Sequence, residues 1–152
     1  MKLKYNNLLT ILIPRHANRS NSIANELENI GLKIITRSSK QKISKKTDVY
    51  IADTYGETSK FYGLSNITFL GGSLVPHGGQ NPLEPARMGS YILHGPNIQN
   101  FKEVYNMLSK QKTKNKNPCC SLRKNKTKRW YSLFFKTKQQ KQNKKQDNIC
   151  FY

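Results

Sequence analysis

The sequence predicts an α/β fold with a Rossmann-like parallel sheet. Short apolar runs suited to buried strands alternate with segments whose apolar residues recur at helical spacing. The connections between them have the length expected of right-handed crossovers between parallel strands. With 152 residues, the chain can bury one core without help from disulfides or metals. We therefore expect one Rossmann-like domain.

The elements follow from local patterns. Leu9–Ile13 is an apolar run ended by Pro14, and the helical repeat from Ile23 to Ile30 is ended by Gly31. The predicted strands are residues 9–13, 32–35, 49–52, 67–70 and 91–93. The predicted helices are residues 23–30, a segment opened by a capping box of Thr54 with Glu57 and closed by Gly63, residues 82–88, and residues 101–108.

Ligands in such sheets bind beyond the carboxyl ends of the strands. Four loops of this chain follow a predicted strand directly, and we expect them to share one rim. They are Pro14-Arg15-His16, residues 53–57, residues 71–84 and residues 94–99.

The glycine-rich segment from residue 71 to residue 85 is the strongest candidate site. Its glycines, Gly71, Gly72, Gly78 and Gly79, would let the backbone approach a bound molecule. The Asn81-Pro82-Leu83-Glu84 sequence is typical of the first turn of a helix, where free N–H groups and the helix dipole attract anions. A simple turn does not need both features, so the segment predicts an anion-binding site.

The other candidates keep two interpretations. Arg15 and His16 can bind a phosphate or carboxylate, or be ordinary polar residues of an exposed loop. The loop that ends at Glu57 can offer helix N–H groups to an anion, or Thr54 and Glu57 can simply cap the helix. Glu84 can cap its helix or accept hydrogen bonds from the hydroxyl groups of a sugar. His77 can donate to a ligand, but no nucleophile arrangement or metal spacing accompanies it, so we predict neither a catalytic triad nor a metal site.

Residues 110–152 form a basic tail of different composition. They carry a net charge of +13 out of the total of +19, whereas residues 1–109 carry +6. High charge with few apolar residues predicts disorder, so we divide the chain into a domain (1–109) and a tail (110–152). The tail also contains Trp130, Tyr131, Phe134 and Phe135, so the alternative is a non-catalytic basic protein that binds nucleic acid or an anionic membrane.

Other sequence features bear on the compartment. The cysteines, Cys119, Cys120 and Cys150, lie in the tail without the spacing of a zinc site. No apolar run reaches the length of a membrane-spanning helix, and the first residues lack the apolar core of a signal peptide. We expect a cytoplasmic protein.

Several motifs occur in a fixed order between residues 8 and 108: Pro14-Arg15-His16, Ala52-Asp53-Thr54-Tyr55-Gly56-Glu57, Phe69-Leu70-Gly71-Gly72-Ser73-Leu74, His77-Gly78-Gly79-Gln80-Asn81-Pro82-Leu83-Glu84-Pro85-Ala86, and Gly95-Pro96 with Asn100-Phe101. In this order they resemble the C-terminal half of 3-deoxy-D-manno-octulosonic acid (Kdo) transferase. The resemblance implies a GT-B glycosyltransferase, in which two Rossmann-like domains face each other across a cleft.

The resemblance also implies a function. The family moves Kdo from CMP-Kdo onto lipid A precursor (lipid IVA) at the cytoplasmic face of the inner membrane, in lipopolysaccharide biosynthesis, without a metal or other cofactor. It implies donor-binding roles for seven residues: Arg15, Gly56, Glu57, Gly72, Ser73, Asn81 and Glu84. The loop analysis adds four candidates: His16, Gly71, His77 and Gly79.

The resemblance ends near Leu108, where the sequence turns into the basic tail. We therefore expect the product of a split, truncated or frameshifted gene, which ends in unrelated residues. The resemblance implies that the acceptor surface and the general base lie in an N-terminal half, encoded separately if it exists. Besides the basic binding protein described above, a non-functional remnant that does not fold stably is a third possibility.

Overall fold

A computed structural model describes residues 8–110, 119–121 and 147–151. The strands are β1 (Leu8–Leu12), β2 (Ile34–Thr36), β3 (Val49–Ile51), β4 (Ile67–Leu70), β5 (Tyr91–His94), β6 (Cys119–Ser121) and β7 (Asp147–Phe151). The helices are α1 (Ser20–Asn29), α2 (Thr58–Leu64), α3 (Leu83–Arg87) and α4 (Lys102–Lys110), and 3-10 turns precede α1 and α4 at Ala17–Arg19 and Gln99–Phe101.

All paired strands are parallel and form one seven-stranded sheet in the order β2-β3-β1-β7-β4-β5-β6. The predicted α/β fold class with a Rossmann-like parallel sheet is therefore confirmed. Every strand predicted from the sequence is present, and its position in the sheet brings the loops that follow the strands to a common edge. We call this side of the sheet the carboxyl edge.

The second strand starts later than predicted. Leu32 donates its backbone N–H to the carbonyl of Leu27 at 3.2 Å, and Gly31 donates to Glu28 at 2.8 Å, so both residues close the end of α1. The apolar side chain at position 32 therefore belongs to the helix terminus. As a result β2 begins at Ile34 and extends to Thr36.

The predicted capping box of Thr54 and Glu57 is wrong. Helix α2 begins at Thr58, and the side chain of Glu57, its N-cap residue, makes no capping hydrogen bond. Thr54 Oγ1 instead donates to the Glu57 carboxylate at 2.7 Å. The two side chains therefore bond to each other instead of capping the N–H groups of the helix. The spacing was right for a contact between the two residues but misplaced the start of the helix.

Two segments of the basic tail belong to the sheet. Strand β6 pairs with β5 at one edge, and β7 lies in the interior between β1 and β4. The expectation of disorder does not hold for these two segments. In β7, the average composition of the tail conceals the short apolar run Ile149-Cys150-Phe151. The rest of the predicted tail lies outside the described residues, and the boundary between residues 109 and 110 stays a prediction.

The buried apolar residues form two clusters, on the two sides of β7. One joins β1 and β3 to α2, with the rings of Tyr50 and Phe61 5.9 Å apart. The other joins β4 and β5 to α4, and includes the fully buried Leu70 and Ile92. Within the described part of the chain, no helix is both long and apolar enough to cross a membrane.

Candidate functional site

The carboxyl edge carries all the site residues predicted from the sequence except Glu84, which lies in helix α3. Arg15 and His16 follow β1 and are exposed. Gly56 is exposed and Glu57 half-buried in the loop that follows β3. The glycine-rich segment follows β4. The predicted common rim is thus present, whereas the part each residue plays in binding stays a prediction.

Strand β7 divides this edge into two halves, because β2, β3 and β1 lie on one side of it and β4, β5 and β6 on the other. Loops after β2 and β3, residues 37–38 and 53–57, form what we call the charged half. The glycine-rich segment, residues 71–81, and the loop after β5, residues 95–100, form the glycine-rich half. Arg15, after β1, lies on the same side of β7 as the charged half.

Arg37 organises the charged half. Its Nε donates to one carboxylate oxygen of Glu57 at 2.9 Å and its Nη2 to the other at 3.0 Å, which is the two-pronged geometry that guanidinium favours. Thr54 donates a third hydrogen bond to Glu57, and Lys60 Nζ lies 3.5 Å from the same carboxylate. The Glu57 side chain is therefore held in one position.

The same contacts set the charge of Glu57. The hydrogen bonds from Arg37 and then from Thr54 lower the pKa of Glu57 to about 2, while burial acts in the opposite direction. Bonding to Glu57 and Tyr50 raises the pKa of Arg37 above its ordinary value. At neutral pH, Glu57 is thus a fixed carboxylate that can accept hydrogen bonds but cannot donate one.

Backbone contacts tie the ends of β2 and β3 together beneath this pair. Arg37 donates its N–H to the carbonyl of Ile51 at 2.8 Å. Asp53 accepts two bonds from Ser38, from its N–H at 2.8 Å and from its hydroxyl at 2.5 Å. Arg37 is consequently fixed from its backbone outward.

Ser73 is the centre of the glycine-rich half. Its hydroxyl is fully buried, donates to the carbonyl of Leu70 at 2.6 Å and accepts the N–H of Gly95 at 2.8 Å. The side chain thus ties the end of β4 to the end of β5. The donor-binding role that the resemblance implies for Ser73 stays a prediction.

Gly95 allows a close approach between these two loops. A Cβ atom at this position would lie 2.3 Å from the carbonyl oxygen of Ser73 and 2.6 Å from its carbonyl carbon. That carbonyl also accepts the N–H of Asn97 at 2.9 Å. The two loops pack so closely that position 95 excludes any side chain.

The second glycine pair makes room for the chain itself. A Cβ at Gly78 would lie 2.5 Å from the Asn100 side chain, and one at Gly79 would lie 3.0 Å from the Asn97 carbonyl. Asn100 uses this space to donate its side-chain amide to the carbonyl of His77 at 3.1 Å. At least two of the four glycines are therefore needed for packing within the chain. From the sequence alone, this need could not be distinguished from contact with a ligand.

Helix α4 supports the glycine-rich half from below. Tyr105 donates its hydroxyl to the carbonyl of Gln80 at 2.9 Å, and its ring centroid lies 4.4 Å from that of His94. His94 is buried, which lowers the pKa of its ring, and its Nδ1 is 2.7 Å from the carbonyl of Gly95. A neutral His94 that donates to Gly95 fits both observations.

The helix start predicted after Gly79 is present and is short. Asn81 Oδ1 accepts the N–H of Leu83 at 3.0 Å, and α3 runs only from Leu83 to Arg87. Glu84, in its first turn, accepts a hydrogen bond from the hydroxyl of Ser59 in α2. This bond joins α3 to the helix that starts directly after Glu57.

Sequence reasoning missed three residues that shape the edge, namely Arg37, Ser38 and Ser59. It included Asn97 in a predicted loop and Asn100 in a motif, but gave neither residue a role. The signal for Arg37 was present, because it follows β2 directly, and the rule that selected Arg15 applies equally to it. The contacts of Asn97 and Asn100 could not be predicted in this way, because their partners lie 24 and 23 positions away in the chain. Among the described residues, no group of three or more His, Cys, Asp or Glu side chains could hold a metal ion.

Comparison with known proteins identifies relatives of this chain. It is 43% identical over 105 residues to the 3-deoxy-D-manno-octulosonic acid transferase of Haemophilus influenzae, and the match covers 69% of this chain and 25% of the relative. The enzyme of that name from Bordetella pertussis is 35% identical over 97 residues, 63% of this chain and 23% of the relative. A probable mitochondrial one from Arabidopsis thaliana is 32% identical over 98 residues, 63% of this chain and 22% of the relative. The chain spans about a quarter of the length of these curated relatives.

A solved structure agrees with the sequence relatives. The C-terminal CMP-Kdo binding domain of WaaA from Acinetobacter baumannii matches with a TM-score of 0.72 and 25% identity, over 88% of this chain and 82% of that one. No family model matches the chain. The predicted resemblance and the predicted likeness to the C-terminal half of a GT-B glycosyltransferase are thereby confirmed.

Proposed function

We propose that this chain, which belongs to the Kdo transferase family, binds CMP-Kdo at its carboxyl edge as the donor-binding part of a glycosyltransferase. The observation that carries the proposal is the position of Arg15, Glu57 and the glycine-rich segment after the parallel strands β1, β3 and β4. Ligands of open parallel sheets bind at this edge. The binding domain of WaaA, which has the same fold, supports the choice of ligand.

Arg15 is the proposed partner of the negative charge on the donor. It is exposed, and no hydrogen bond or ion pair within the described residues engages its guanidinium. Arg37, by contrast, is committed to Glu57. A guanidinium can bind a phosphate or carboxylate through two hydrogen bonds, and both groups occur in CMP-Kdo.

Glu57 and Glu84 are proposed to orient the donor. Glu57 stays ionised because Arg37 and Thr54 hold its pKa near 2, so it can accept a hydrogen bond from a sugar hydroxyl. Glu84 is exposed at the start of α3 and is steadied by Ser59. Asn81 fixes the start of the same helix through Leu83.

The proposed reaction is displacement at the anomeric carbon of Kdo, with CMP as the leaving group. Negative charge develops on the phosphate as the glycosidic bond to CMP breaks, and Arg15 stabilises it. We propose that the acceptor, a lipid A precursor at the cytoplasmic face of the inner membrane, binds to an N-terminal half, and that this half also provides the general base. In that case, this chain supplies donor binding and leaving-group stabilisation.

The test is calorimetric titration of the full chain with CMP, for the wild type and for Arg15→Ala. We expect Arg15→Ala to weaken binding about tenfold or more, because a charge-assisted hydrogen bond is lost, while circular dichroism stays unchanged. Arg19→Ala is the matched control, since Arg19 is also an exposed arginine after β1. Equal affinities of the wild type and Arg15→Ala would contradict the role of Arg15.

The alternative, a basic protein that binds nucleic acid or anionic membranes through residues 110–152, gives a different result. A folded wild-type chain that ignores CMP, yet binds a polyanion with a steep salt dependence, would favour that alternative. Arg15→Ala would then leave polyanion binding nearly unchanged, because it removes a small part of a net charge of +19.

A further inference from the structure

We propose that β1 and β4 form a strand-receiving slot, and that β7 is a separable closing strand that fills it and sets the width of the donor site. The slot would accept residues 147–151 equally when they are supplied on a separate peptide. This form of recognition is strand addition, in which backbone hydrogen bonds provide most of the affinity.

Pairing on both sides of β7 defines the slot. Thr10 of β1 and Ile67 of β4 are both in register with Ile149, so β7 is hydrogen-bonded to two strands at one level. The pairing continues to the end of β7, where Phe151 is in register with Leu12 of β1 on one side and with Phe69 of β4 on the other. Strands β1 and β4 have no direct pairing with each other, and without β7 each would expose an unpaired backbone edge.

The closing strand is distant in sequence from both of its neighbours. Leu8, at the start of the described chain, pairs with Asp147 near its end. The other pairs of neighbouring strands lie much closer along the chain, such as β4 with β5 or β2 with β3. Chain connectivity therefore contributes little to holding β7 in place, which is the condition for exchange with a free peptide.

The position of β7 also determines the geometry of the site. The glycine-rich loop follows β4, and the Arg15 loop follows β1. With one strand between them, β1 and β4 lie about 10 Å apart, whereas directly paired strands lie about 5 Å apart. Phe151, the last described residue of β7, is level with Leu12 and Phe69, so the strand fills the gap up to the carboxyl edge.

The two apolar clusters also divide the domain at β7. One contains residues of β1, β3 and α2, and the other contains residues of β4, β5 and α4. The bond from Ser59 to Glu84 and those from Ser90 to the carbonyls of Tyr62 and Ser65 connect the sides through helices and loops. Within the sheet itself, β7 is the connection.

The first experiment is hydrogen exchange on the full chain with a proline in the closing strand. Ile149→Pro removes a backbone donor from an interior strand, where proline is not tolerated. We expect amides of β1 and β4 to exchange about tenfold faster or more, and those of β2 to change less. Lys141→Pro, in the tail but outside the described strands, is the control. Equal exchange in the two variants would overturn the proposal.

The second experiment supplies the strand in trans. A synthetic peptide of residues 145–152 is added to Ile149→Pro, and a peptide of the same composition in scrambled order is the control. Restored protection of β1 and β4 by the native-order peptide alone supports the slot, and this holds even where the variant is unfolded before addition. Failure of the peptide to restore protection, or equal rescue by the scrambled peptide, would overturn a specific slot.

The claim about site width rests on the proposed function, and CMP is its probe. We expect Ile149→Pro to weaken CMP binding about tenfold or more, and the native-order peptide to restore it. Unchanged CMP affinity in a variant with faster exchange would overturn the claim that β7 sets the site. If the wild type fails to bind CMP, the proposed function fails, and the exchange results still decide whether β7 closes the sheet.

Discussion

The two halves of the carboxyl edge are held by different forces. In the charged half, exposed and half-buried side chains hold one another, with Arg37 and Thr54 on Glu57 and Ser38 on Asp53. In the glycine-rich half, buried backbone groups meet at close range around Ser73 and Gly95. Water and salt reach the first set of contacts but not the second. The charged half should therefore respond to pH, and the glycine-rich half to changes in side-chain volume.

The largest effect is expected at Gly95. Gly95→Ala places a methyl group 2.3 Å from the carbonyl oxygen of Ser73, and a backbone atom cannot move aside without breaking the loop. We expect the free energy of unfolding to fall by about 3 kcal/mol. Gly63→Ala is the matched control, because a Cβ there meets nothing within 4 Å in the part of the chain that the structure describes, and it should stabilise α2 by about 0.5 kcal/mol. Urea denaturation of the two variants tests the comparison, and equal midpoints would refute it.

Gly78 tests the contact between the glycine pair and Asn100. Gly78 and Gly31 have nearly the same φ, +83 and +82, but only Gly78 has a neighbour where a Cβ would lie. We expect Gly31→Ala to cost about 1 kcal/mol of backbone strain. Gly78→Ala should cost about 2 kcal/mol, because it also displaces the Asn100 side chain from His77. Similar losses of stability in denaturant would mean that Asn100 moves aside freely.

Ser73 tests the buried hydrogen bonds of the same half. Ser73→Ala removes the acceptor of the Gly95 N–H and leaves that buried donor without its partner. We expect a loss of about 1 to 2 kcal/mol in the free energy of unfolding. Ser39→Ala is the control, because its hydroxyl also donates to a backbone carbonyl, that of Thr36 at 2.7 Å, but in an exposed position. A thermal melt in which both variants lose the same stability would contradict the distinction.

The smallest effect on stability, and the clearest on charge, is expected at Arg37. Arg37→Gln removes the main cause of the low pKa of Glu57, which should rise from about 2 towards its ordinary value of 4.5. Carbon NMR of the Glu57 carboxyl group measures the shift. Lys60→Gln should shift it less, because Coulomb attraction to Lys60 is the weakest cause. An unmoved pKa in Arg37→Gln would show that the two-pronged pair is absent in solution.

The sign of the accompanying pH dependence follows from the lowered pKa. A carboxylate with a pKa below that of the unfolded chain stabilises the fold above about pH 4.5, and this contribution is lost as the pH falls towards about 2. Arg37→Gln should flatten the stability profile in that window. At neutral pH the change should be small, because an exposed ion pair contributes little in water.

The candidate site was predictable to the extent that it follows from strand direction, because ligands of parallel sheets bind at the carboxyl ends of the strands. Arg15, Glu57 and the glycine-rich segment all follow apolar runs, and parallel strands bring such loops to one edge. The rule gave no information on which glycines face a ligand and which face the chain. Gly78 is explained by Asn100, a residue whose position in space depends on the packing of α4 and β5.

The sequence by itself determined the fold class, five of the strands and the edge at which the loops of the candidate site meet. Apolar periodicity and strand length are local properties, and parallel crossovers convert them into a sheet. Only the tertiary structure decided that Arg37 holds Glu57, that Ser73 is buried, and that β7 lies between β1 and β4. These contacts join residues far apart in the chain, and their energies come from geometry that no local pattern encodes.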